Sequence, residues 1–293
     1  MAALGLNRVR QTRDGQPRAA TEGRPYSSLN ETLMKLCRIA HESLGRPRYA
    51  VLKEPRVYPL PVDYSFEHVE KFDEDAAFDI NEVTLLAPVA PSKIVCVGRN
   101  YREHAAELGN KMPDEPLLFL KAPSAVIASG DQIELPRASQ QVEHEGELGV
   151  VIGRLAHKIS QNDDPLSYIF GYTCVNDVTA RDLQRKDVQF TRGKSFDTFC
   201  PVGPWIETDI DPTNTTVQTR LNGELKQKGN TADMAFPVGF LIRYISEIMT
   251  LYPGDLIATG TPAGVSRMKH GDTVEVEVNG IGVLRNRVFD PKE

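Results

Sequence analysis

The chain has 293 residues, of which 40% are hydrophobic and 25% charged, and its formal net charge is −6. That is the balance of a globular protein long enough for one large core and a smaller companion unit. No basic face or Lys/Arg cluster is present to bind nucleic acid or an anionic membrane, and no apolar run approaches the ~20 residues that span a bilayer.

Met1 to Asn30 is polar with scattered arginines and carries no apolar signal-peptide core. Asp14-Gly15 and Glu22-Gly23 read there as turns rather than as part of a transit peptide, and Val9–Thr12 and Arg18–Thr21 read as a short hairpin. Asn30 caps a predicted helix in which Leu33, Leu36, Cys37 and Ala40 recur at helical spacing, ended by Gly45 and Pro47. Tyr49–Leu52 and Arg56–Leu60 read as strands, followed by acidic, irregular sequence from Asp63 to Glu82. The first 85 residues are thus expected to be a small N-terminal α+β domain, with residues 86–293 as the main domain.

Lys93–Gly98 is a short buried strand running into a predicted helix, Arg99–Gly109. Strands are expected at Leu117–Leu120, Gln132–Leu135 and Leu148–Ile152, and the pairs Asn222-Gly223 and Asn279-Gly280 signal hairpins. One amphipathic helix begins at Pro237, carries Leu241, Ile242, Ile245, Ile248 and Met249 on one stripe, and ends at Pro253-Gly254. Strands dominate and helices are few and unevenly placed, which makes the fold class α+β. The four cysteines, Cys37, Cys96, Cys174 and Cys200, show no metal or redox spacing and read as reduced, buried hydrophobes of a cytoplasmic protein.

The sequence has no GxSxG elbow, no HExxH and no GxGxxG, and Val188 stands where a phosphate-binding loop ending in Gly193-Lys194-Ser195 would need its first glycine. Four features remain. In Glu143–Gly153, alternation turns Leu148, Val150 and Ile152 to one face and Glu143, Glu145, Glu147 and Gly149 to the other. Such a row of carboxylates is either a solvated edge or a hard-cation site. Asp177 precedes Thr179 and Asp182, which together read as the capping box of a helix; Asp177 has no such structural explanation. His104 and Glu107 share a helix face, as an acid/base pair or as surface residues. Lys194, in a polar loop, is either solvated or placed to stabilise a developing enolate.

These residues also carry a resemblance. His144–Gly153, Asn176–Gln184, Gly193–Pro201, Thr259–Val265 and Gly98–Tyr101 followed by His104 resemble, in order, motifs of the fumarylacetoacetate hydrolase family. The resemblance covers roughly residues 85–290. It implies a mixed β-sandwich roll, a homodimer and one Mg²⁺ or Mn²⁺ per subunit. Position by position, it implies Glu145, Glu147 and Asp177 as metal ligands, and Lys194 as the lysine beside the metal. His104 with Glu107 becomes the acid/base pair, and Arg181, Gln184 and Thr261 become substrate-binding residues. Glu143 and His144 match no ligand, and Gly149 is expected to keep the strand face beside the metal free of a side chain. Val95–Gly98 lacks the fourth acidic ligand of the name-giving enzyme, so the chain resembles the smaller three-carboxylate branch.

The function expected from that branch is metal-dependent hydrolysis of a C–C bond in a small 2,4-dioxo acid (acylpyruvate or fumarylpyruvate type) through a metal-bound enolate. The same site would serve a 2-hydroxyhepta-2,4-diene-1,7-dioate isomerase or an oxaloacetate decarboxylase. The reading from another class is a catalytically silent homodimer that binds a 2-oxo acid.

Overall fold

The computed structural model describes residues 34–66, 72 and 74–292. The hairpin expected between Val9 and Thr21, and the helix cap at Asn30, lie outside these residues.

The segment expected to continue that helix is instead a strand, β1 (Lys35–Ala40). Tertiary pairing decides this: β1 is bonded along five residues to β2 (Arg48–Lys53), which in turn pairs with β3 (Arg56–Pro59). Leu36, Cys37 and Ile39 are fully buried by these partners, and a burial gain of that kind outweighs a weak helical periodicity.

Next come β4 (Ile94–Gly98), helix α1 (Arg102–Glu107), β5 (Leu117–Lys121), β6 (Gly146–Ile152) and β7 (Ile169–Asn176). They are followed by α2 (Arg181–Lys186), α3 (Thr191–Lys194), β8 (Cys200–Glu207), β9 (Thr216–Leu221) and β10 (Glu224–Asn230). Helix α4 (Val238–Ile248), β11 (Leu256–Ala258), β12 (Thr273–Val278) and β13 (Gly282–Phe289) complete the chain. One sheet runs β3-β2-β1-β8-β7-β6-β11-β4-β5, and a second runs β10-β9-β12-β13. Backbone pairing joins β1 to β8 across residue 85.

Strand β6 lies at the centre of the large sheet, and both of its faces are covered. Leu148, Val150 and Ile152 pack with Val217 and Val276 of the second sheet and with Leu241 and Ile245 of α4, while Val151 and Val175 face a separate core with Ile94 and Val202. The predicted alternation holds in this strand. Both Asn-Gly hairpins form, joining β9 to β10 and β12 to β13, with φ of 54° at Asn222 and 80° at Gly223. All four cysteines are free and buried, and burial holds the Cys37, Cys174 and Cys200 thiols up at about 12. Among the described residues, no helix is long and apolar enough to cross a membrane.

Candidate metal centre

The register of β6 against β7 builds the centre. Gly146 pairs with Asn176 and Glu147 with Val175, so the residues flanking the pair, Glu145 and Asp177, fall opposite each other. Two bonds fix this end: Asp177 N–H donates to Glu145 O at 2.8 Å, and Glu145 N–H donates to Asn176 Oδ1 at 3.0 Å. One oxygen each from Glu145, Glu147 and Asp177 lies within 4.8 Å of the others, and all three side chains are buried.

Positive charge reaches this cluster unevenly. Lys194 Nζ donates to Glu145 Oε2 at 2.7 Å and to Asp177 Oδ2 at 2.5 Å. Lys121 Nζ, at the end of β5, donates to Asp177 Oδ1 at 2.6 Å and to Val178 O at 3.1 Å. Arg181 spans Glu143 Oε2 at 2.8 Å and Glu145 Oε1, and bonds Gln184 Oε1 at 2.6 Å. Glu147 receives only the Gly260 N–H, at 2.7 Å, and among the described residues it has no ion-pair partner.

The ionisation of the groups follows. Burial opposes charge on Glu145, but Lys194 and Arg181 hold its carboxyl well below the usual range. Burial, then the charges of Asp177 and Glu145, push Glu147 well above it. Lys194 is buried too, yet its two carboxylate partners raise it above an ordinary lysine. The cluster therefore lacks one positive charge at Glu147. An all-oxygen set of three carboxylates with that deficit fits a hard divalent cation.

A cavity of about 470 Å³ opens onto the cluster, with Glu145, Glu147, Asp177, Lys194 and His104 in its walls. His104 is buried on α1, and its Nδ1 lies 3.3 Å from Glu107 Oε2. Glu107 does not line the cavity; its carboxylate accepts the Gly264 N–H at 3.0 and 3.2 Å. Arg181, Gln184 and Thr261 line the cavity as well, but Arg181 already engages three protein oxygens.

Several expectations need correction. Thr179 does not cap α2: its hydroxyl donates to Asp177 O at 2.8 Å, and Ala180 is the cap residue. Asp182 instead accepts Ser139 Oγ at 2.5 Å and Gln140 N–H at 2.8 Å, tying α2 to the chain that leads into β6. Gly149 serves strand packing rather than the metal face, since a Cβ there would stand 2.5 Å from Val175 Cγ2. The predicted helix from Arg99 begins only at Arg102, because Arg99 takes a left-handed φ of 57°. Glu143 and His144 match no ligand but are buried next to the centre.

Two residues near the centre, Lys121 and Arg99, carried no functional role in the sequence reading. Lys121 closes an apolar run, Leu117–Leu120, and a lysine ending an apolar strand was the available signal. Arg99 lines the cavity from a strained backbone, and Asn100 beside it is fully buried, bonding Phe236 O, Thr259 O and Phe236 N. Non-glycine residues held in that conformation cluster at active sites and ligand clamps.

The fold is that of an α+β protein of two main β-sheets, with a buried carboxylate triad that could hold a metal ion at one end of the central strand, open to a cavity. Comparison with known proteins gives its family. The chain belongs to the fumarylacetoacetate (FAA) hydrolase family, whose C-terminal domain matches residues 93–289. The chain is 55% identical over 202 residues to Uncharacterized protein MJ1656 of Methanocaldococcus jannaschii, covering 69% of this chain and 85% of that one. It is 43% identical over 226 residues to oxaloacetate tautomerase YisK of Bacillus subtilis, covering 72% of this chain and 75% of the relative. Its fold is similar to the crystal structure of 2-hydroxyhepta-2,4-diene-1,7-dioate isomerase from Mycobacterium marinum, with a TM-score of 0.79 and 40% identity, over 89% of this chain and all of that one. The tautomerase and isomerase relatives fit the smaller branch of the family, in keeping with the absence of an acid in Val95–Gly98.

Proposed function

We propose that this protein is a divalent-cation-dependent enzyme that moves a proton between carbon and oxygen on a small 2-oxo acid, interconverting enol and keto forms. The observation that carries the reading is the His104–Glu107 pair: a buried imidazole in the cavity wall, held from behind by a carboxylate, across from the triad. Glu107, itself fixed by Gly264 N–H, orients the ring, so that His104 can take and return a proton at the cavity side.

Glu145, Glu147 and Asp177 would hold Mg²⁺ or Mn²⁺, which when bound supplies Lewis-acid polarisation of a 2-oxo acid. Lys194, already charged and fixed by two carboxylates, adds positive potential where the substrate oxygen gains charge. Thr261 and Gln184 contribute polar groups to the wall that would orient the substrate. Relatives named as an oxaloacetate tautomerase and as a dienedioate isomerase support proton transfer as the net reaction.

Hydrolysis of a 2,4-dioxo acid is the second reading, and the same dyad favours it, because an imidazole backed by a carboxylate also activates water. Decarboxylation of oxaloacetate needs no activated water, so the dyad supports it less. A silent binding protein would have no use for a buried ion-pair array that leaves Glu147 uncompensated. By resemblance we also propose a homodimer.

The test sets enol-to-keto conversion of oxaloacetate, followed by ultraviolet absorbance, beside pyruvate release from acetylpyruvate, each with Mn²⁺ and with EDTA. Tautomerisation should require the cation, and His104→Ala should slow it by ~10²–10⁴, the range of a lost general base. Pyruvate release without tautomerisation would replace the first reading by the second.

A further inference from the structure

Residues 259–266 touch the site three times within one short stretch. Gly260 N–H donates to Glu147 Oε2 at 2.7 Å, Thr261 lines the cavity, and Gly264 N–H meets Glu107 at 3.0 and 3.2 Å. A buried chain of side chains holds this loop, and it begins at His144, which the proposed reaction does not use. His144 and Gln227 are both 0% exposed.

His144 Nε2 lies 2.7 Å from Ser266 Oγ, and its Nδ1 lies 3.1 Å from Gln227 Oε1. Gln227 Nε2 donates at 2.7 Å to both Thr261 Oγ1 and Pro262 O, and Thr261 Oγ1 donates to Gly146 O at 2.8 Å. The amide orientation of Gln227 is settled by its backbone partners. Its oxygen accepts Gly146 N–H at 3.0 Å, and its nitrogen faces the Pro262 carbonyl. The atom facing Gln227 Oε1 must then donate, so His144 carries its proton on Nδ1, and Nε2 accepts from the Ser266 hydroxyl.

We propose that His144 is a positioning residue: through Ser266 at one ring nitrogen and Gln227 at the other, it fixes the 259–266 loop where Gly264 orients Glu107 and Thr261 faces the cavity. Its effect on turnover rests on the proton-transfer reading above; its effect on the loop does not. The arrangement is a fully satisfied buried network, the kind whose members are worth more together than singly.

Three measurements on the full chain test this. They are hydrogen exchange of the amides between Thr261 and Ser266, Mn²⁺ affinity by titration, and the split between kcat and KM for oxaloacetate tautomerisation. In His144→Leu, exchange in the loop should rise and kcat should fall by about 10-fold, the scale of one lost buried hydrogen bond, with little change in KM or Mn²⁺ affinity. His144→Asn keeps a donor where Nδ1 stood but offers Ser266 no acceptor, so it should recover only part of both losses. Unchanged exchange in His144→Leu would overturn the proposal. So would a loss of Mn²⁺ affinity equal to the loss of kcat, since His144 would then be acting on Glu145 beside it. If His144→Leu does not fold, Ser266→Ala cuts one link from outside the ring: faster loop exchange supports the proposal and unchanged exchange overturns it. A wild-type protein without tautomerase activity would sink the functional reading, while the exchange measurements still decide the role of His144.

Discussion

Lys121 and Asp177 form an ion pair at 2.6 Å in which the lysine side chain is 0% and the aspartate 1% exposed. The second lysine, Lys194, takes the other oxygen of the same carboxylate at 2.5 Å. Only Lys194 faces the cavity. Lys121 approaches from the sheet side and fixes the carboxylate whatever the cavity holds.

Removing Lys121 therefore exposes a charge deficit that a cation can fill. Breaking a buried pair from one side costs about 3–5 kcal/mol, so metal-free Lys121→Met should melt well below the wild type. Mn²⁺ should then raise its Tm by more than it raises that of the wild type. Equal increments in the two proteins would mean that Lys121 does not balance Asp177.

Glu147 gives the opposite behaviour, with a defined pH dependence. Its carboxyl is raised well above 4.5 by burial and by Asp177 and Glu145. Above 4.5 the unfolded chain releases this proton while the folded chain keeps it, so the site makes metal-free stability fall as pH rises toward the folded value. Glu147→Gln still accepts the Gly260 N–H but has no such slope. In EDTA the variant should match the wild type near pH 4.5 and exceed it at pH 7, whereas Mn²⁺ at pH 7 should reverse the order. Thermal melts under the four conditions check this, and a variant less stable than the wild type in EDTA at pH 7 would contradict it.

Arg99 is the cavity-wall arginine without a hydrogen bond or ion pair among the described residues, and its φ is 57°. The left-handed conformation costs a non-glycine residue about 1–2 kcal/mol, and glycine's extra chain entropy returns about 0.5–1 kcal/mol of that. Arg99→Gly should consequently leave Tm unchanged or slightly raised. It should also raise KM for a dianionic 2-oxo acid by about 10-fold, the loss of one charge-assisted contact. A KM equal to that of the wild type would remove Arg99 from substrate recognition.

Much of this was legible in the amino-acid order because it is local. Period-two alternation in Leu148–Ile152 specified which side chains enter which core, and the Asn-Gly turns specified two hairpins. His104 and Glu107 share a helix face at a spacing of three, so their pairing needed no tertiary knowledge. The motif string carried Glu145, Glu147, Asp177 and Lys194; the register of β6 with β7 brings the three carboxylates together, and α3 adds Lys194.

What the tertiary structure alone decided is where long-range partners override local preference. Lys35–Ala40 is a strand because sheet neighbours on both sides bury it, and no short window contains those neighbours. Asp182 is drawn out of the capping pattern by Ser139 and Gln140, which only the fold brings to it, while the Thr179 hydroxyl turns back to Asp177 O. In the sequence Lys121 merely follows the predicted strand Leu117–Leu120, Arg99 opens a predicted helix, and His144 matches no ligand. Each acquires meaning from a partner or a cavity 40 or more positions distant in the chain: Asp177, the triad-lined cavity, and Gln227 with Ser266. Sequence fixes local conformation through sterics and periodicity, but the field around a buried charge is a sum over space, and only the folded chain brings its sources together.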